Sequence, residues 1–399
     1  MTASSPHEAP GSDDDGVLVA LKDLVAFPTI TSDSNLDLID HVHGRLVGVA
    51  DEVFVVHDES GEFANLCATF GGRKDAGGVM LSGHTDVVPA EPAEWATPPF
   101  VATRRGDRIY GRGTADMKGF LACLLRAAPL FAAADLEVPV HLAFTFGEEI
   151  GCQGAPVLLE AFGRRGIDPE VAIVGEPTSM NVVHAHKGCY EYTTTIRGAD
   201  AHGSTPARGV SALEYGLRYV DRLLMLRGEL AARADEGVFD PPGSTINVGR
   251  FEAGSARNVV AGSCEIQWEM RPVTADDAAY VLGRLSTFER ELDAELRSVV
   301  GSAGLQRTTV GAVGGLEPAA DSPALELIDA VLPEAELEVA SYSTEAGVFQ
   351  AAGISSIVCG PGAIEVAHRP DEYVTVDQLG RSMEMLAALS VELSVGDPT

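Results

Sequence analysis

Hydrophobic positions along the chain fall into two textures. An amphipathic helical pattern opens at 17–26. Short apolar, β-branched runs at 53–56, 64–70, 78–82, 138–146, 170–175 and 182–185 then alternate with helical periodicity at 34–49, 117–134 and 153–163. Strands that alternate with helices build an α/β sheet covered by helices, and ligands gather where such strands end. From about Cys189 the order changes to strand 190–197, helix 210–227, a polar loop holding Pro241-Pro242, strands 245–252 and 259–270, helix 275–299 and strand 306–313. That β-α-β-β-α-β order describes a separate ferredoxin-like α+β unit. After Gly314-Gly315 the first texture resumes, with helices at 323–332 and 376–393 around a strand at 354–359. The expected organisation is an α/β domain over 16–188 and 315–399, an inserted unit over 189–314, and a disordered leader over 1–15.

Composition narrows the function classes. A chain of 399 residues, 45% hydrophobic, buries a large core, which excludes a disordered or fibrous protein. The formal net charge of −31 repels phosphate backbones and anionic lipid, so neither nucleic acid nor membrane is expected as a partner. An acidic excess of this size also fits a high-salt habitat, which composition leaves open. No run reaches the roughly 18 to 20 apolar residues of a membrane span. The polar, acidic N-terminus is no secretion signal, so the expected location is cytoplasmic. Six cysteines are scattered with no Cys-x-x-Cys pair, which reads as reduced core thiols rather than a disulfide framework or a thiolate metal site. Lysine occurs only at 22, 74, 118 and 187, so Lys118, which falls inside a motif below, stands out against a nearly lysine-free background.

The chemistry sits at strand ends. The apolar strand Val79-Met80-Leu81-Ser82-Gly83 delivers His84, Thr85 and Asp86, and a carboxylate two residues beyond a histidine can orient its ring as a metal ligand. A structural histidine is the plainer alternative. Tyr110-Gly111-Arg112-Gly113-Thr114-Ala115-Asp116-Met117-Lys118-Gly119 places Asp116 at a helix entry, where an N-cap is the simple reading. The strand ending at Gly147 runs into Glu148-Glu149; adjacent carboxylates there need a cation or a shared proton, or else the welcome of a helix N-terminus. Gly175-Glu176-Pro177-Thr178 and Ala367-His368-Arg369-Pro370-Asp371-Glu372 repeat the theme. Mixed imidazole and carboxylate donors suit zinc or a similar first-row divalent ion. Five ligands exceed one tetrahedral ion but fit two ions sharing a carboxylate.

In order and wording, these motifs resemble those of the dinuclear-zinc aminoacylase and exopeptidase family of acetylornithine deacetylase, succinyl-diaminopimelate desuccinylase and carboxypeptidase G. The resemblance runs from about residue 17 to the end and includes the inserted unit. It implies a zinc-exopeptidase-like α/β catalytic domain with an inserted lid and dimerisation domain, two Zn²⁺ per subunit with Co²⁺ as a substitute, and a homodimer. It implies that Asp116 bridges the ions, that His84 and Glu176 complete one site and Glu149 and His368 the other. Glu148 becomes the general acid/base and Asp86 the residue that orients His84. The peptide Asp116-Met117 is expected to be cis. Within the inserted unit, Asp200-Ala201-His202-Gly203-Ser204 matches the motif whose histidine supports the oxyanion in the partner's active site. Asn258 and Arg271 match substrate-binding positions, and arginine suits two-pronged capture of a carboxylate.

The resemblance also ranks substrates. Ser343-Thr344-Glu345-Ala346 resembles the acetylornithine deacetylase pattern, and Val348 stands where desuccinylases carry arginine. The expected reaction is hydrolysis of a small Nα-acyl amino acid, N2-acetyl-L-ornithine to ornithine and acetate in arginine biosynthesis. Thr344 then lies at the substrate and Glu345 reads its side-chain ammonium, with a structural role for Glu345 as the alternative. A desuccinylase, a broader aminoacylase or dipeptidase, and an inactive binding protein on the same fold are the rival readings.

Overall fold

A computed structural model describes residues 13–72, 77–233, 238–319 and 321–395. The chain divides into two compact units, one of 1–184, 318–338 and 344–399, the other of 185–317 and 339–343. The expected leader over 1–15 lies outside the described residues up to position 12, and its last three positions begin the helix Asp13–Val25.

The first unit is built on an eight-stranded mixed sheet. In spatial order its strands are Glu52–His57, Ala64–Phe70, Val140–Thr145, Gly78–His84, Pro169–Val174, Ser355–Val358, Val182–His186 and Leu337–Ala340. Gly78–His84 runs parallel to both Val140–Thr145 and Pro169–Val174, and Ser355–Val358 runs parallel to the latter. All residues of Gly78–His84 and Val140–Thr145 are buried, as parallel strands covered on both faces require. The chain leaves Gly78–His84 through helix Lys118–Ala133 to the strand on one side. It then passes through helix Gly154–Arg165 to the strand on the other. The crevice at the carboxyl end of Gly78–His84 is therefore a topological switch point, the usual place for a ligand in such sheets. Leu66, Phe70, Leu81, Leu142 and Phe144 from the sheet and Leu21, Leu24, Phe120, Leu124 and Leu386 from helices share one buried core.

The second unit realises the β-α-β-β-α-β order. Its four strands lie in the order Thr245–Ala253, Ser263–Arg271, Cys189–Arg197, Gly304–Val313, all antiparallel. Helices Ala212–Arg233 and Ala275–Val299 supply Tyr219, Leu223, Leu226, Val281 and Leu285 to a core with Ile266 and Trp268. Among the described residues no helix is long and apolar enough to cross a membrane.

Some elements differ from expectation. The strand expected over 259–270 starts at Ser263, because Val259 instead bridges His202. A small three-stranded sheet of Thr103–Arg105, Arg108–Tyr110 and Tyr373–Thr375 and the short helix Glu345–Ala351 were not expected from the pattern.

Candidate metal centre

Parallel register carries the motifs to one place. His84 pairs with Thr145 and Ser82 with Val174, so the chain leaves neighbouring strands at the same height towards Glu148, Glu149 and Glu176. Two glycines make the exits passable. Gly147 takes φ 65° before the glutamates. A Cβ on Gly175 would lie 2.0 Å from the Phe120 ring. The peptide Asp116-Met117 is cis.

The carboxylate of Asp116 lies between two imidazoles, with His84 Nε2 2.9 Å from its Oδ1 and His368 Nε2 3.1 Å from its Oδ2. His84 Nε2 is 3.5 Å from Glu176 Oε1, and His368 Nε2 is 3.0 Å from Glu149. His84 Nδ1 donates to the main-chain carbonyl of Asp86 at 2.9 Å, which turns Nε2 towards the carboxylates. The Asp86 carboxylate is farther from that ring, 3.6 Å. It accepts instead from the amides of Glu148 and Glu149 at 3.2 and 3.3 Å and from Thr31 Oγ1 at 3.2 Å. The imidazole is thus held by the backbone of Asp86, and the side chain holds the turn that carries the two glutamates.

Charge in this cluster is unbalanced. Burial, then the neighbouring Glu176, pushes the Glu148 carboxyl well above its usual range. Burial, then Asp116, raises Glu176 to about 8. Burial opposes a charged His84, yet Glu176, Asp116 and Asp86 outweigh it and raise its pKa. Hydrogen bonds to Asp116 and Glu149 lift His368 to about 10. Every one of these shifts draws a proton towards a group of buried anions, which is the response of a site that lacks positive charge. Glu176 Oε1 is also buried without a donor. Both observations fit divalent cations. Atoms of His84, Asp116 and Glu149 lie within 4.8 Å of one another, and so do atoms of His84, Glu148 and Glu176.

The remaining expected residues are placed as follows. Thr344 caps helix Glu345–Ala351, its hydroxyl accepting from Ala346 N at 3.1 Å. Glu345 has no exposed surface, its Oε2 accepts from Ser82 Oγ at 3.2 Å, and burial raises its carboxyl to about 7. This supports the alternative structural role for Glu345, whose Oε2 links the helix to strand Gly78–His84 while its Oε1 is buried without a hydrogen-bond partner. In the second unit His202 is exposed, its Nδ1 2.7 Å from Ser204 Oγ, and its neighbour across the Val259 bridge is the segment of exposed Asn258. Gly203 N donates to Asn258 O at 2.7 Å, so this backbone pairing joins the two motifs. Arg271 is turned onto Glu269, with Nε and Nη2 3.1 and 2.9 Å from Oε2.

Sequence reasoning passed over several residues around the cluster. Lys118 is fully buried, donates from Nζ to Phe27 O at 2.7 Å, and is pushed down to about 7 by burial against the pull of Glu372 and Asp86. The Cys152 thiol lies 3.6 Å from Glu148 Oε1. Arg112 and Glu372 form a buried ion pair at 2.7 Å. The signal for the last three charges was present, since Arg112, Lys118 and Glu372 stand inside the quoted motifs and a buried charge demands a partner.

A switch-point crevice that gathers imidazoles and uncompensated carboxylates is the donor set of a metal-dependent hydrolase. Known proteins agree. Residues 80–392 match Peptidase family M20/M25/M40. The acetylornithine deacetylase of Pectobacterium atrosepticum is 34% identical over 376 residues, spanning 91% of this chain and 94% of that protein. The aminopeptidase PepT of Bacillus cereus shares the fold with a TM-score of 0.72 at 20% identity, covering 95% of this chain and 98% of that one. The YXEP protein of Bacillus subtilis, described as a dinuclear metal binding peptidase from the M20 family, has a TM-score of 0.66 at 14% identity, covering 96% and 98%. The chain belongs to the M20/M25/M40 peptidase family and is a metal-dependent amidohydrolase.

Proposed function

We propose that this enzyme hydrolyses the amide of a small Nα-acyl amino acid, N2-acetyl-L-ornithine first among them, and so serves arginine biosynthesis in the cytoplasm as a homodimer. The convergence of His84, Asp116, Glu149, Glu176 and His368 on one crevice carries the hydrolytic reading. The relatives named acetylornithine deacetylase and the Ser343-Thr344-Glu345-Ala346 pattern support the substrate.

Two Zn²⁺ ions, or Co²⁺ in their place, would be held by these donors, one by Asp116, His84 and Glu176 and the other by Asp116, Glu149 and His368. Bound there, the ions supply Lewis acidity and make water nucleophilic at neutral pH. Glu148 accepts the proton of the attacking water and delivers it to the amine nitrogen as the C–N bond breaks. Its raised proton affinity suits both halves of that exchange. Asp86 holds the Glu148–Glu149 turn in place while the proton moves. As the resemblance implies, His202 supports the oxyanion in the active site of the partner subunit, and Asn258 with Arg271 captures the substrate carboxylate once Arg271 exchanges Glu269 for it.

The test is amine release from a panel of acetylornithine, acetylmethionine, succinyl-diaminopimelate and dipeptides, with metal content measured on the same sample. The highest kcat/KM is expected for acetylornithine, with loss of activity on chelation and return with Zn²⁺ or Co²⁺. Preference for the succinyl compound overturns the substrate, and undiminished hydrolysis by metal-free protein overturns the mechanism.

A further inference from the structure

Asp116 and His368 stand on loops far apart in the chain, yet His368 Nε2 lies 3.1 Å from Asp116 Oδ2. Neither residue is in the eight-stranded sheet, so its pairing does not set that distance. The two loops start from the small sheet, where Tyr373 pairs with Tyr110 and Gly111 N donates to Glu372 O at 3.0 Å. Beyond that point backbone pairing stops and the side chain of Glu372 takes over. Its Oε2 accepts from Arg112 Nη1 at 2.7 Å and Gly113 N at 3.1 Å. Its Oε1 accepts from Ala115 N at 2.8 Å and Asp116 N at 3.1 Å. Arg112 in turn donates to Arg369 O at 3.4 Å and Pro89 O at 3.3 Å and lies over the Trp95 ring. The loop of His368 is further fixed by Asp371, whose Oδ1 accepts from Ala96 N at 2.8 Å. Both His368 and Asp371 take φ 59°, a left-handed conformation that non-glycine residues keep only where surroundings impose it.

We propose that Glu372 is a positioning residue of the metal centre. Through its grip on the amides up to Asp116 and its pairing with Arg112, it sets the spacing of Asp116 and His368 and hence the affinity for the ion these share with Glu149. The proposal rests on the dinuclear reading above. A buried ion pair kept for stability alone is replaceable by apolar groups of the same shape. Here both oxygens are spent on two donors each along the loop that ends in Asp116, which an apolar pair cannot imitate. Glutamine at this place turns an NH₂ group onto two of those donors in either orientation and leaves Arg112 without a counter-charge.

The experiment titrates zinc into the stripped full-length protein against a chromogenic zinc chelator. It reads the number of ions and both affinities, with circular dichroism as the fold control. The wild type is expected to take up two ions. Glu372→Gln should weaken one ion by about 10- to 100-fold and leave the other in place, and Glu372→Asp should weaken the same ion less. Wild-type affinity for both ions in folded Glu372→Gln overturns the proposal, and so does equal weakening of both. If Glu372→Gln does not fold, Glu372→Asp decides by the same criterion: selective weakening of one ion supports the proposal and unchanged or equally changed affinities overturn it. A wild type that takes up fewer than two ions overturns the dinuclear reading itself, and this inference with it.

Discussion

Glu148 and Glu149 are adjacent copies of one residue type, and their surroundings separate them. Glu149 faces His368 at 3.0 Å, whereas Glu148 has a thiol at 3.6 Å and a carboxyl whose proton affinity is raised by burial and then by Glu176. Glu148→Gln should lower kcat by about two to four orders of magnitude, the worth of a positioned acid/base, with metal content unchanged. Glu149→Gln should instead lose one ion. Metal analysis beside steady-state kinetics checks the pair, and the reverse pattern would exchange the two roles. Glu345 leads to a different expectation. Because its carboxyl is buried against Ser82, Glu345→Gln should lower kcat/KM for acetylornithine and for the neutral acetylmethionine by the same factor. A loss confined to acetylornithine would restore Glu345 as the reader of the ammonium. The residues that gather in the crevice were legible in the motifs. The burial of Glu345 was not, since a polar side chain after a strand reads alike whether it faces a cleft or the core.

At the level of elements, strand Pro169–Val174 exits against helix Lys118–Ala133 with no room for a side chain at Gly175. Gly175→Ala should cost roughly 1–3 kcal/mol through overpacking on Phe120. Gly163, exposed in helix Gly154–Arg165 with open space around its Cα, is the contrast, and Gly163→Ala should stabilise by about 0.5–1 kcal/mol. Urea denaturation of the two variants checks both signs. The long elements could be read from periodicity, because 3.6- and 2-residue repeats persist over Lys118–Ala133 or Ala275–Val299 and over Cys189–Arg197. The small sheet could not. Its strands have three residues each, fewer than a repeat needs to show itself, and they pair only because distant loops meet. Helix Glu345–Ala351 buries Glu345, Ala346, Gly347 and Phe349, so it presents no polar and apolar faces to recognise.

For the whole molecule, the unbalanced charge at the metal centre couples stability to pH. Glu176 titrates at about 8 in the folded chain against an ordinary 4.5, so the folded state keeps a proton that the unfolded state has released. That contribution is complete below 4.5 and is lost as pH rises through about 8. His368, raised from 6.5 to about 10, acts in the same direction over a higher interval. Lys118, lowered from 10.5 to about 7, acts oppositely above that pH, so between pH 4.5 and about 7 the melting temperature of chelator-treated protein should fall relative to that of metal-loaded protein, whose ions replace the protons. Thermal melts at stepped pH with and without chelator check this, and a metal-free protein that gains stability relative to the metal-loaded one over that range would overturn the charge assignment. The sequence by itself determined the α/β and ferredoxin-like textures and the inventory of imidazoles and carboxylates. Each of these follows from local periodicity, composition or a contiguous motif. Only the tertiary structure decided that the Asp86 side chain holds the Glu148–Glu149 turn, that Glu345 is buried, and that Glu372 ties the Asp116 loop. Those roles depend on which atoms of distant segments come within hydrogen-bond reach, and chain order carries no record of that until strand register and loop packing bring the segments together.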